Sequence, residues 1–195
     1  MTRSPRWPLV AAFLIALSGC AGSPAIDYYT LDALPYPEAR GDDSAPLTVL
    51  LGPLSLPEMV DRPQLVVRSG DNRVEIVDTS RWAQPLKSEL ARALAANLAR
   101  DLGTLRVFLA EQSLHGEPDI SVSVDVLRFE SRLGVEAVME ARWTIRRKGG
   151  AAPLTGRSLI RETVQGKGYE FLVAAHGRAL ARISREIAEA IRRNP

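Results

Sequence analysis

Cysteine is nearly absent from this chain: its 195 residues contain one, Cys20. Without a second thiol no disulfide can form within the chain, so stability has to come from packing. Histidine is almost as scarce, with His115 and His176 alone. They have no spacing that would pair them on a metal, and with so few His and Cys no metal site is expected. The patterns H-E-x-x-H, G-x-S-x-G, G-x-x-x-x-G-K-S/T and C-x-x-C do not occur, which leaves the common hydrolase, phosphate-loop and redox motifs without support. An excess of charge is missing too: 25 Lys and Arg face 23 Asp and Glu. That balance is not the strongly basic one of a general nucleic-acid binder, and no nucleic-acid partner is expected. No apolar run reaches the ~20 residues that a membrane-spanning helix needs.

What is present begins at the N-terminus. Arg3 and Arg6 precede the apolar stretch Pro8 to Leu17, which exits through Leu17-Ser18-Gly19-Cys20. A basic start, a short apolar stretch and small exit residues are the marks of an export signal. The exit resembles a bacterial lipobox. That resemblance implies cleavage before Cys20 and diacylation of its sulfur, usually followed by acylation of its nitrogen. The expected division is a signal peptide over 1–19, a lipidated N-terminus and tether over 20–27, and a single periplasmic α/β domain over 28–195. Loss of Arg3 and Arg6 would bring the 25 basic residues down to the number of acidic ones, 23. The acyl chains on Cys20 are the only cofactor expected.

The body of the chain reads as short strands and two helices. Tyr28 to Leu31, Leu47 to Leu51 and Leu105 to Leu109 have the β-branched or apolar character of strands. Gln64 to Arg68 and Arg73 to Val77 flank the turn residues Ser69-Gly70-Asp71-Asn72, so a hairpin is expected. Pro35 to Pro46 reads as a loop. Leu86, Leu90, Leu94, Leu98 and Leu102 make one helical stripe behind Pro85, with Lys87, Glu89, Arg92 and Arg100 assigned to the other faces. Gly103 closes that helix. Asp119 to Glu130 alternates and then slips phase at Leu127, the signature of a β-bulge. Val135 to Ile145 alternates again beyond the turn Arg132-Leu133-Gly134, and Arg157 to Gln165 is a further strand. Leu172, Ala175, Ala179, Leu180, Ile183, Ile187 and Ile191 line one side of a second helix. On its other side, Arg182 with Glu186 and Arg185 with Glu189 are spaced as four-residue pairs. These elements predict an α/β (α+β) two-layer sandwich, a mainly antiparallel sheet with both amphipathic helices packed on one face.

Polar candidates are few. His176 lies near the apolar side of the second helix and reads as a structural or solvated residue, not a ligand. Gly166-Lys167-Gly168 reads as a loop, with an anion site at the following helix as the alternative. Asp119, Asp125, Glu136 and Glu140 are expected on solvated strand faces. Arg128, Arg132, Arg142, Arg146 and Arg147 form either a basic stripe or a face of mixed charge.

Leu56-Pro57-Glu58-Met59-Val60-Asp61-Arg62-Pro63-Gln64-Leu65-Val66-Val67-Arg68 resembles a segment of the PqiC/YmbA family of ABC-type transport auxiliary lipoproteins. Tyr28-Tyr29-x-Leu31, Arg81-Trp82-Ala83-x-Pro85-Leu86 and Leu94-Ala95-x-Asn97-Leu98 match as well. The resemblance implies an outer-membrane lipoprotein facing the periplasm and no catalytic residue. It implies work beside an MCE-domain transport protein and its inner-membrane component, in lipid movement between membranes. Ala21 after the cysteine fits outer-membrane sorting. Pro57, Asp61, Arg62, Pro63 and Arg68 are the candidate partner-binding residues. In physical terms the prolines fix a turn, Asp61 can accept backbone N–H groups, and Arg62 and Arg68 can pair with carboxylates. Asp61 and Arg62 either hold that turn or touch the partner. Trp82 reads as a plug between loop and helix. A homo-oligomer is compatible with this reading. The alternative is a periplasmic lipid carrier or chaperone with an apolar cavity between sheet and helices; a hydrolase has least support.

Overall fold

The computed structural model describes residues 24–31, 47–110, 116–150 and 152–193. The expected signal peptide, Cys20, the loop Pro35 to Pro46 and His115 lie outside them. Among the described residues, eight strands and two helices follow in the order β1 (Asp27–Tyr29), β2 (Val49–Ser55), β3 (Gln64–Arg68), β4 (Val74–Trp82), α1 (Leu86–Leu102), β5 (Val107–Leu109), β6 (Ile120–Arg132), β7 (Glu136–Arg147), β8 (Leu154–Thr163) and α2 (Tyr169–Arg193). The result is an α+β sandwich, as expected.

It differs from the expectation in having two sheets, each mixed. The larger has the order β5-β2-β6-β7-β8 and the smaller β1-β4-β3. The β6-β7-β8 meander is antiparallel, whereas β2 runs parallel to both β5 and β6, and β1 parallel to β4. A parallel neighbour needs a long crossover; α1 supplies it between the small sheet and β5. The expected hairpin is present as β3 and β4. It continues past Val77 to Trp82, through an irregular register between Gln64 and Leu65. The bulge expected at Leu127 is there as well, a register shift between Val126 and Arg128.

Both helices cover one face of the large sheet. Leu86, Leu90, Leu94 and Leu98 of α1 and Leu172, Ile183, Ile187 and Ile191 of α2 are buried against Val122, Val124, Met139 and Ile145. The helices are parallel. Leu86 and Leu172 share a wall at their starts, and Arg192 of α2 donates to the Asp101 carbonyl oxygen near the end of α1. Arg147 reaches the Ile191 carbonyl oxygen at 2.5 Å, which supports an otherwise open helix end. Gly103 takes φ 71° and returns its N–H to Ala99 and Arg100, since only a left-handed residue closes α1 this way.

The other face of the large sheet is charged and solvated, and several of its arginines are paired. Arg142 meets Asp125 at 3.6 Å, Arg161 meets Glu136 at 3.2 Å, and Arg128 meets Glu130 at 3.6 Å. This is the mixed-charge face, not a basic stripe. Two expectations for carboxylates fail. Glu140 is only 6% exposed, because Arg157 and Arg128 fold over it from the neighbouring strands. Arg182 pairs across to Glu162 of β8 at 3.1 Å, and Glu186 accepts from Ser158 at 2.5 Å. The sheet therefore takes partners that helical spacing assigned within α2.

Candidate functional site

The family-like segment makes a tight turn. The Pro57 carbonyl oxygen accepts the Val60 N–H at 3.0 Å, and the Val60 carbonyl oxygen accepts the Arg62 N–H at 2.9 Å. Proline at 57 and 63 restricts the chain on both sides of that turn. The Pro63 carbonyl oxygen then accepts the Trp82 N–H at 2.7 Å, and the Tyr29 carbonyl oxygen accepts the Ala83 N–H at 2.8 Å. Leu31 donates its N–H to Glu89 Oε2 at 3.2 Å. Three motifs far apart in sequence are thereby tied to one another and to the start of α1.

Where they meet, the surface opens into a groove of about 320 Å³ lined by Asp61, Arg62, Pro63, Trp82, Ala83, Gln84, Pro85 and Leu86. Its floor is apolar, with Trp82 and Leu86 buried. Asp61, Ala83, Gln84 and Pro85 stand exposed on its rim. Arg62 forms no ion pair among the described residues, and its buried Nε has no hydrogen-bond partner. The expected pairing of Arg62 with a carboxylate is thus not made.

The other candidates sit elsewhere. Pro57 contributes its carbonyl to the turn and does not line the groove. Arg68 lies at the far end of β3, where it pairs with Glu130 at 3.2 Å and donates to the Asp71 carbonyl oxygen at 2.6 Å. It holds the β3–β4 turn to β6.

Beneath the groove, Trp82 meets Phe129 edge-on at 6.2 Å, and Phe129 stacks on His176 at 3.9 Å. His176 is 1% exposed and its Nε2 lies 2.8 Å from Ser131 Oγ. Burial pushes its imidazole down to about 3, so it is neutral. Its Nδ1 has no partner. That makes it a packed structural group, the structural and not the solvated of the two readings. Burial and the Glu75 charge push the Tyr169 phenol up. The space around Trp82, Phe129, Leu172 and His176 amounts to about 10 Å³, room for one water at most. Among the described residues no group of three or more His, Cys, Asp or Glu could hold a metal ion.

Glu89, like Glu140, lies where sequence reasoning did not place it. It is 2% exposed, accepts from Leu31 and pairs with Arg92 at 2.8 Å. The signal was available: positions 86, 89 and 90 fall on one helical face, so Glu89 and Asn97 sit beside the leucine stripe.

The fold and this site define a class: an α+β sandwich with a surface groove built from loop and helix-start residues. The sequence pattern of the ABC-type transport auxiliary lipoprotein component matches residues 29–188, and the chain belongs to that family. It is similar to the intermembrane transport lipoprotein PqiC of Escherichia coli K12. The two are 25% identical over 192 residues, covering 97% of this chain and 99% of the relative. PqiC of Shigella flexneri matches to the same extent. The solved structure of protein XCC0632 from Xanthomonas campestris superposes with a TM-score of 0.64 at 18% identity, covering 85% of this chain and 93% of that one. Another solved structure, of an uncharacterized protein, gives 0.70 at 22% identity, covering 86% and 99%. Both share the fold. Among the described residues no helix is long and apolar enough to cross a membrane.

Proposed function

We propose that this chain is a non-enzymatic accessory subunit of an MCE-type intermembrane lipid transport system, held at the outer membrane by acyl chains on Cys20 and facing the periplasm. One observation carries the docking role. The Asp61-Arg62-Pro63 segment and the Trp82 to Leu86 segment together line one open groove. An apolar floor with a polar rim is the anatomy of a contact surface, and the unpaired Arg62 supplies a cation for a partner carboxylate. Family membership and the intermembrane transport role in the relatives' name support the transport setting.

Anchoring follows from the lipobox. One acyl chain holds a protein only marginally, whereas two or more hold it firmly. The carrier alternative loses support from the packed space of about 10 Å³ under the groove, far too small for an acyl chain. Two substitutions test the reading. Cys20→Ala should release the protein from membrane fractions, and tight retention would refute anchoring. Asp61→Arg with Arg62→Glu should abolish co-purification of the MCE-domain partner while thermal unfolding stays near wild type; undiminished co-purification would leave these residues a role in the turn alone.

A further inference from the structure

The fold can be read for which of its ends lies nearest the anchor. The described chain begins at Pro24, four residues past Cys20, a stretch that spans at most ~14 Å. From there it passes Ile26 and Tyr28, 39% and 63% exposed, to Tyr29, whose ring meets that of Tyr169 at 6.3 Å. Tyr169 opens α2, so the chain enters at that end of the helix. The 25 residues of α2 carry its other end about 37 Å away.

Three apolar side chains stand exposed at the entry end. Leu133 and Val135, 38% and 57% exposed, flank Gly134 in the β6–β7 turn; Phe171, 41% exposed, lies in the first turn of α2. They are held together. Val164 donates its N–H to the Val135 carbonyl oxygen at 3.0 Å. The Phe171 ring covers Gly166 so closely that a methyl group there would collide with it, and Gly134 faces the Gly166 carbonyl. Turn tips ordinarily carry polar residues; this one offers Leu and Val on a rigid frame. Lys167 is exposed between them, and Glu170 folds back over Gly168.

We propose that this end of the sandwich sits in the headgroup region of the bilayer that holds the Cys20 acyl chains, a proposal that rests on the anchoring reading above. Leu133, Val135 and Phe171 enter the acyl boundary, Tyr28 lies at the interface, and Lys167 extends its amine to the headgroups. Lys167 and Glu170 leave the patch close to neutral, so apolar burial carries the contact and salt leaves it in place. The contact sets the orientation of the domain, which a flexible tether alone would leave free.

Acylation occupies the only native thiol, so an introduced cysteine is a unique spin-label site. Full-length acylated protein carrying Val135→Cys, Phe171→Cys or, at the far end of α1, Leu105→Cys would be labelled in vesicles of phosphatidylethanolamine and phosphatidylglycerol. Labels at 135 and 171 should collide several-fold more with oxygen, relative to a water-soluble nickel reagent, than the label at 105. Val135→Asp should bring the label at 171 to the value at 105. Aqueous values at all three sites in protein that floats with the vesicles would overturn this contact and leave anchoring intact. Shielding from both reagents, growing with protein density, would mean a contact between copies and would also overturn it. Failure to float would refute anchoring and this proposal with it.

Discussion

Acidification should weaken the fold through one residue, His176. In the folded protein its imidazole is buried, stacked on Phe129 and pushed down to about 3. In the unfolded chain it returns to its ordinary value near 6.5. The unfolded state then binds the proton more strongly, so stability is complete above about pH 6.5 and falls as the pH drops from there toward about 3. At pH 5 the loss from this group is about 2 kcal/mol. No carboxylate lines the space around the ring to offset it. Urea unfolding at pH 7 and pH 5 measures the loss. His176→Gln keeps a polar partner for the Ser131 hydroxyl and removes the titration, so its stability should change less between the two pH values by about that amount. Equal pH dependence in both proteins would refute the buried neutral imidazole.

Further outcomes follow from other packed sites. Gly156 lies under the Trp143 ring with no room for a methyl group, so Gly156→Ala should cost about 1–3 kcal/mol in urea unfolding; an unchanged midpoint would show that the ring moves aside freely. Glu89→Ala removes the acceptor of the Leu31 N–H and should cost about 1–3 kcal/mol, with faster amide exchange in β1 than in β6. Exchange that stays as slow as in wild type would contradict that role. Arg68→Ala breaks a largely buried pair with Glu130 and the bond to the Asp71 carbonyl oxygen, should cost about 1–3 kcal/mol, and should leave partner co-purification as it was. A lost partner would move Arg68 into the docking surface.

Local chemistry made much of this legible. Period-2 alternation located β6 and β7, and the phase slip at Leu127 gave the bulge. The leucine stripe gave α1 and Gly103 its end. Long-range pairing was not legible: nothing in Leu47 to Leu51 says that its neighbours run parallel. Nor could the chain alone show that Pro63 and Trp82 share a hydrogen bond. The motifs were visible as segments, and the groove exists only where the small sheet joins them. Glu89 and Glu140 were misread because charge was taken as a sign of solvent, while Leu31, Arg92, Arg157 and Arg128 supplied partners from elsewhere in the fold.

The shortness of β1 has a mechanical consequence. On the proposed anchoring at Cys20, a pull between membrane and partner enters the domain through β1. That strand has three registered residues, Asp27, Tyr28 and Tyr29, all on β4. Tension along a parallel pair loads its hydrogen bonds in shear, and three residues share the load. Behind them the Leu31 N–H held by the buried Glu89 is a second catch, fixed to α1 and so to the core. Beyond that point a force no longer acts on a strand edge and must dislodge a helix. The domain thus has a weak outer joint and a strong inner one, and the weak joint yields while the segments that line the groove stay assembled.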